Sequence, residues 1–213
     1  MRATVGSLFQ AARSGGGRRG RTAAGCFLVI GMMLCAPAAW ATTYAIDQDH
    51  STVSFRIRHL FSYVRGTFNE FAGSLDYAPG HPEQWRASAT IQAASIDTRV
   101  EKRDQHLRSG DFFSVEQYPT ITFTSVKATN VTSAGAKLHG LLTLHGVERP
   151  VILDLTIHGE GKDQRGALRA GFTATTTINR KEFGIIWNKT LEAGQLMLGE
   201  DVEITLEIEG VAQ

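Results

Sequence analysis

The sequence predicts an antiparallel all-β domain with one short helix, built either as a sandwich or as a closed barrel. Three observations predict it. Apolar and polar residues alternate at period two through much of residues 42–213, turn signals separate these runs at short intervals, and no long helical pattern intervenes as a parallel βαβ sheet would need. Period two puts successive side chains on opposite faces, so each run reads as a half-buried strand with one wet face. Closure into a barrel removes the edge strands that invite aggregation.

In chain order, Val53, Phe55 and Ile57 alternate with Ser54, Arg56 and Arg58. Pro79-Gly80 marks a turn, after which Trp85, Ala87, Ala89 and Ile91 alternate with Arg86, Ser88, Thr90 and Gln92. Thr98–Ser109 departs from this pattern, being dense in charge with only Val100 and Leu107 as large apolar residues. It predicts a short surface helix, N-capped by Asp97 or Thr98, with Glu101 completing a capping box and Gly110 closing the C-terminus. Asp111-Phe112-Phe113 and a turn at Tyr118-Pro119 follow. Ile121 and Phe123 then sit between Thr120, Thr122 and Thr124. Further turns are expected at Ser133-Ala134-Gly135, His145-Gly146, Gly159 to Gly161 and Gly194. Between them, Val151, Leu153, Leu155 and Ile157 alternate with Asp154, Thr156 and His158. Val202, Ile204, Leu206 and Ile208 do the same with Glu203, Thr205, Glu207 and Glu209. No repeat or low-complexity linker divides residues 42–213, which therefore form one domain.

The first 41 residues have a different composition. Arg2, Arg13, Arg18, Arg19 and Arg21 occur without an acidic residue, an uncharged run from Ala23 to Ala36 follows, and Ala39 and Ala41 supply small residues at an A-x-A site. This is the pattern of a cleavable signal peptide, residues 1–41, and the expected location is periplasmic. The apolar run is shorter than the roughly 20 residues that span a bilayer, which disfavours a permanent anchor. Leu34 before Cys35 is a poor lipidation context, and Arg18-Arg19 leaves Sec and twin-arginine export both open. Cleavage after Ala41 would remove five of the 22 basic residues, none of the 21 acidic ones and both cysteines, turning a formal charge of +1 into −4. Thiol, disulfide and cysteine–metal chemistry would go with them.

The charge balance gives no reason to expect nucleic acid as a partner. No His-x-His or His-Glu-x-x-His pattern occurs, and no Gly-x-Ser-x-Gly motif brings Ser, His and Asp together. The expectation is a protein without a metal, a cofactor or catalytic residues; a weak lipid-ester hydrolase is the less favoured alternative.

Several stretches, taken in order, resemble the YceI family of exported lipocalin-like proteins. They are Tyr44–His59 (YAIDQDHSTVSFRIRH), Gly66-Thr-Phe68 with Phe71-Ala-Gly73, Ala94-Ser-Ile-Asp-Thr98 and Arg103-Asp-Gln-His-Leu107. Asp111-Phe-Phe113, Tyr118-Pro-Thr-Ile-Thr-Phe123, Gly140-Leu-Leu-Thr143, Val147-Glu-Arg-Pro150 and Ile178-Asn-Arg-Lys-Glu-Phe-Gly184 complete the set. The resemblance implies an antiparallel, lipocalin-like β-barrel of about eight strands with a helix near one end, enclosing an apolar tunnel. It further implies non-catalytic binding, transport or storage of a long-chain isoprenoid lipid, whether a polyprenyl phosphate, an isoprenoid quinone or a similar amphiphile. A homodimer is also implied, although the sequence shows no interface. The alternative from another class is a solid barrel that acts as an extracytoplasmic protein-interaction or stress module.

For a tunnel, the inward candidates are Phe55, Ile57, Phe68, Phe71, Ile91, Phe123, Leu142, Leu153, Leu155, Phe172 and Ile204. Each could instead fill a ligandless core. The headgroup candidates are His50, His59, Arg103, His106, Arg180, Trp187 and Asn188. Histidine can hydrogen-bond a carbonyl or phosphate oxygen, arginine can receive an anion, and an aromatic at an entrance can also make transient membrane contact. His50 and His59 stand roughly 30 Å apart along an extended strand and cannot share one metal ion. The bland alternatives are a scaffold role for each histidine and a solvated or ion-paired face for Arg103, Asp104, Arg108 and Asp111. Phe183-Gly184 is expected to fix a bend and plug a barrel end.

Overall fold

The computed structural model describes residues 40–191, 194 and 196–213. The expected signal peptide falls almost entirely outside the described residues. The described chain contains β1 (Thr42–Ile46), β2 (Thr52–His59), β3 (Ser62–Phe68), β4 (Phe71–Tyr77), β5 (Arg86–Gln92) and β6 (Ile96–Asp97). Helix α1 (Glu101–Arg108) precedes β7 (Thr120–Thr129), β8 (Gly135–Leu144), β9 (Val147–Lys162), β10 (Leu168–Asn179) and β11 (Leu198–Ala212).

Every ladder is antiparallel. The order β1-β4-β5-β7-β8-β9-β10-β11 closes on itself through a β1–β11 pairing, giving the expected eight-stranded barrel. β11 runs long enough to pair with β1 at Gly210–Ala212 and with β2 at Leu198–Glu207, so β1 and β2 act as one interrupted strand along its edge. Beyond β2 the sheet continues through β3 to the two-residue β6, which delivers the chain to α1. The helix thus lies across one end of the barrel, called here the helix end.

The alternation holds inside the ladders. In β5, Arg86, Ser88, Thr90 and Gln92 are exposed, while Ala87, Ala89 and Ile91 are only half-buried. Inward residues that keep some exposure in this way face a void rather than a packed neighbour. The two ends are packed more tightly. Phe68, Phe71, Ile96, Phe112, Phe183 and Ile185 belong to a buried cluster at the helix end, and Tyr44, Tyr77, Trp85 and Phe172 to one at the other.

Two glycines make room for wall aromatics. A Cβ on Gly66 would lie 2.5 Å from the ring of Phe55, its cross-strand partner, and one on Gly140 would lie 2.4 Å from the ring of Phe123. The rings lie over bare backbone instead.

Two expectations need correction. The glycines at 159 to 161 do not form a turn: β9 continues through them to Lys162, with Gly159 at φ +122 beside a register shift against Gly171/Phe172. A bulge and a turn both favour positive φ, so glycine alone does not separate them. The reversal comes later, where Asp163 accepts from the backbone N–H groups of Arg165 and Ala167.

The expected capping box is also absent. The helix starts at Glu101 with Val100 at the N-cap and no side-chain cap, and Ser109 rather than Gly110 is the C-cap. Arg99 has φ +65 and turns the chain before the helix. Thr98 is drawn instead to buried Asp104, which accepts from both its backbone N–H and its hydroxyl.

Candidate functional site

The barrel encloses a cavity of about 410 Å³. All eleven inward candidates line it, from Phe55 on β2 to Ile204 on β11. Phe123 and Leu142 face each other across β7–β8, and Phe55 and Ile204 across β2–β11, which makes the wall continuous from strand to strand. Sequence reasoning missed other lining residues, among them Val64, Tyr77, Trp85, Phe113, Leu138 and Met197. Trp85 heads an alternating run and could have been found by extending it inward. Phe113 and Met197 lie on irregular chain, where no period applies.

The headgroup candidates divide. His59, Arg103, His106, Arg180 and Trp187 line the cavity, whereas His50 and Asn188 do not. His50 stands outside the barrel, its Nδ1 2.8 Å from Asp47. That placement follows from a single 3-10 turn, Gln48–His50, which separates β1 from β2 and swings His50 out of the inward register. Asn188 is consumed by the backbone: its Nδ2 donates to the Leu198 carbonyl at 2.7 Å, and its Oδ1 accepts from the Leu198 N–H at 3.0 Å. It fastens the loop to β11.

Of the remaining five, His59 ends β2, and the other four are set by α1 and by the segment after β10. Arg103, His106 and Leu107 are spaced to share one helix face, and all three line the cavity. Arg103 donates through Nε to the Thr98 hydroxyl at 2.6 Å and through Nη2 to the Thr98 carbonyl at 2.7 Å. Arg108 reaches back to the carbonyls of Ala94 and Ile96, which ties the helix to its lead-in strand. The charged residues of α1 are therefore fasteners as much as a solvated face. His106 meets Phe112 and Trp187 edge-on, both at 5.0 Å between ring centroids, and its Nε2 lies 2.8 Å from Asp111.

Arg180 enters through the Asn179–Gly184 turn. The Asn179 side chain accepts from the Lys181 N–H, and Gly184 at φ +77 sends the chain back. The returning chain lays the carbonyls of Ile185 and Trp187 on Arg180 Nη1 at 2.7 and 2.8 Å, while Nε donates to the Gly199 carbonyl at 2.8 Å. Phe183, 1% exposed, is packed in the buried cluster at this end. Burial lowers the Arg180 pKa from its ordinary value, with Glu200 opposing the shift.

On the outside, Asp47, His50 and Glu209 come close enough to hold a cation together. Their centre is already taken: Arg169 Nη1 lies 2.6 Å from both Asp47 and Glu209, and its Nε 2.9 Å from Asp163. These contacts hold the Asp47 carboxyl at about 2, the Arg169 hydrogen bond being the largest cause and His50 the next.

The model of the YceI-like domain matches residues 44–210. A UPF0312 protein of Ectopseudomonas mendocina is 41% identical over 87% of this chain and 96% of its own length; one from Shewanella baltica is 37% identical over 86% and 95%. Among solved structures, a YCEI protein of Campylobacter jejuni is 30% identical, with a TM-score of 0.63 over 73% of this chain and 90% of its own. BcnA of Burkholderia cenocepacia, at 21% identity, superposes with a TM-score of 0.69 over 77% and 98%. A domain from Saccharophagus degradans, described as polyisoprenoid-binding, shares the fold at 17% identity with a TM-score of 0.60 over 81% and 99%.

Proposed function

The chain belongs to the YceI-like family, and from that premise we propose that it is a non-catalytic lipid-binding protein that holds the tail of a polyisoprenoid or similar long-chain amphiphile inside its barrel. The observation that carries this reading is the cavity of about 410 Å³, walled mainly by aliphatic and aromatic side chains. That volume falls within the roughly 300–1,000 Å³ of small-molecule sites. A solid barrel serving only as a surface module would need this space filled by side chains.

The tail is sufficient for affinity. One isoprene unit has about five carbons, each worth about 0.8 kcal/mol on burial, so each unit contributes about 4 kcal/mol gross. Two or three units offset an association cost of roughly 4–15 kcal/mol. The polar groups at the helix end then orient the ligand.

Carrying or storing such a lipid outside the cytoplasm agrees with the basic and apolar N-terminal segment. Transient membrane contact is supported by the loops beside the cavity. Phe61, 88% exposed, and Ile186, 68% exposed, flank the lining residues His59 and Trp187, and the Leu60 N–H donates to the Met197 carbonyl between those loops. An apolar rim there lets a tail pass from bilayer to barrel without crossing water.

Native mass spectrometry of protein isolated without detergent from its own organism tests the proposal. The expected spectrum contains a non-covalent mass that organic extraction removes and identifies as an isoprenoid lipid. Protein that is consistently empty and takes up no polyprenyl compound would overturn the reading.

A further inference from the structure

The β2–β3 hairpin carries a chemistry that its turn does not need. A two-residue reversal such as Leu60-Phe61, between His59 and Ser62, is ordinarily built from Asn-Gly or Asp-Gly, because it calls for positive φ. Leu60 supplies φ +48 at the steric cost any Cβ meets in that region, and Phe61 stands 88% exposed, so packing does not hold its ring there. Leu196, 47% exposed, adjoins this tip through Met197, whose carbonyl accepts from the Leu60 N–H at 2.9 Å.

Arginines stand directly behind the aromatic tip. On the outer face of the hairpin Arg58 pairs in register with Tyr63 and Arg56 with Arg65, and like charges placed opposite each other destabilise a ladder unless something neutralises them. Arg56 is neutralised by Glu203 of β11 at 2.6 Å, and its guanidinium lies 5.0 Å from the centre of the Tyr63 ring. Arg58 and Arg65 are exposed, and among the described residues neither has a carboxylate within ion-pair distance. β3 leaves this face open. Beyond β2 it pairs only through Thr67 and Phe68, with β6, and among the described residues Ser62–Gly66 have no neighbouring strand on that side.

These positions fit the depth profile of a bilayer surface. Arg58 and Tyr63 lie two or three residues behind Phe61, roughly 7–10 Å at about 3.4 Å per residue, and Arg65 about 14 Å behind it. An aromatic tip immersed about 5–10 Å at the headgroup boundary therefore brings Arg58 and Tyr63 among the phosphates. Residues 42–213 hold 17 basic against 21 acidic residues, so an anionic surface repels the molecule as a whole, and this local excess of cation decides which face approaches.

We propose that the β2–β3 hairpin is a docking surface for an anionic phospholipid bilayer, with Phe61 as the inserted side chain and Arg58 and Arg65 as the contacts to lipid phosphates. The inference rests on the lipid-binding reading above for its purpose and gives the membrane contact an orientation. The inner face of the same hairpin, through Phe55, Ile57 and Val64, lines the cavity, so docking brings the tail site within reach of the leaflet.

Co-sedimentation with vesicles tests this on protein isolated without detergent from its own organism. Phosphatidylcholine vesicles are compared with phosphatidylcholine mixed about three to one with phosphatidylglycerol, at low salt and at about 1 M, where charge is screened beyond roughly 3 Å. Each arginine near such a surface is worth roughly fivefold in partitioning, so the mixed vesicles should bind at least about tenfold tighter at low salt and equally at high salt. Arg58→Gln combined with Arg65→Gln should erase most of that preference, and Phe61→Ser should weaken binding to both vesicles while leaving the preference. All three residues are exposed, so the variants should stay folded, and the N-terminal segment is common to them all. Equal partitioning at low salt, or a preference that survives the double arginine substitution, overturns the proposal. So does a protein that ignores vesicles: loss of a concentration-dependent dimer in Phe61→Ser would then make the occupant a second copy, and loss of polyglutamate binding in the double variant an acidic polypeptide. A farnesol titration of delipidated protein by tryptophan fluorescence reads the tail site separately, since Trp85 and Trp187 line the cavity. Vesicle preference without farnesol uptake defeats the tail reading and keeps the docking surface; farnesol uptake without vesicle preference does the reverse.

Discussion

Leu142→Trp separates a tail site from a solid core. Leu142 lines the cavity opposite Phe123, and Gly140 lies two residues away along the same strand face. An indole in place of the isobutyl group adds roughly six heavy atoms, about as many as one isoprene unit. With about 410 Å³ of space in front of it, the ring can enter the void rather than displace neighbours. It then excludes about 4 kcal/mol of tail burial, which weakens binding of a tail that fills the cavity about a thousandfold. The empty protein should keep its melting temperature or gain slightly, because the ring covers bare wall. In a packed core the same substitution costs about 1–3 kcal/mol, which lowers the melting temperature by roughly 2–12 °C. Thermal unfolding by circular dichroism and a farnesol titration on the same sample decide it. A destabilised variant that still takes up the lipid normally would refute the assignment of this wall to the tail.

Other substitutions follow from the same geometry. Gly140→Ala places a Cβ 2.4 Å from the Phe123 ring and 2.7 Å from the Thr124 carbonyl, so it should cost about 1–3 kcal/mol in chemical denaturation, with partial recovery on adding Phe123→Leu. Asp104→Asn weakens the buried acceptor that holds Thr98; a loss of about 1–3 kcal/mol is expected, with hydrogen exchange accelerated first in α1. Asp47, held at about 2 against an ordinary 3.8, contributes stability that is present above about pH 4 and lost as pH falls through about 2. Urea midpoints measured across that interval should fall, and Arg169→Met should flatten the decline.

The part of the site on regular strands was legible because a period of two needs only local information. Phe55, Phe123, Leu142 and Ile204 are inward for the same reason that Arg56, Thr124 and Glu203 are not. What failed depends on chain returning from a distance. His50 reads as the start of a strand, but a local 3-10 turn sets it against Asp47, whose other partner, Arg169, arrives from distant β10. Asn188 reads as a loop residue near an entrance, but its amide completes the edge of β11 ten residues on. The capping box was locally sound and lost to Asp104, whose burial is a tertiary outcome. Arg180 was recognisable as a candidate, but its idle nitrogen was not, since the three carbonyls that occupy its other donors arrive from Ile185, Trp187 and Gly199.

The central claim is that the lipid tail lies inside the barrel. A farnesyl analogue with a photoreactive diazirine near the tail's end, cross-linked to the delipidated protein and mapped by peptide mass spectrometry, tests it directly. Labelling should concentrate on inward residues such as Phe123, Leu142 and Ile204 and should disappear in Leu142→Trp. Labelling confined to outward positions such as Val126 and Ile152, which are exposed on β7 and β9, would contradict the claim.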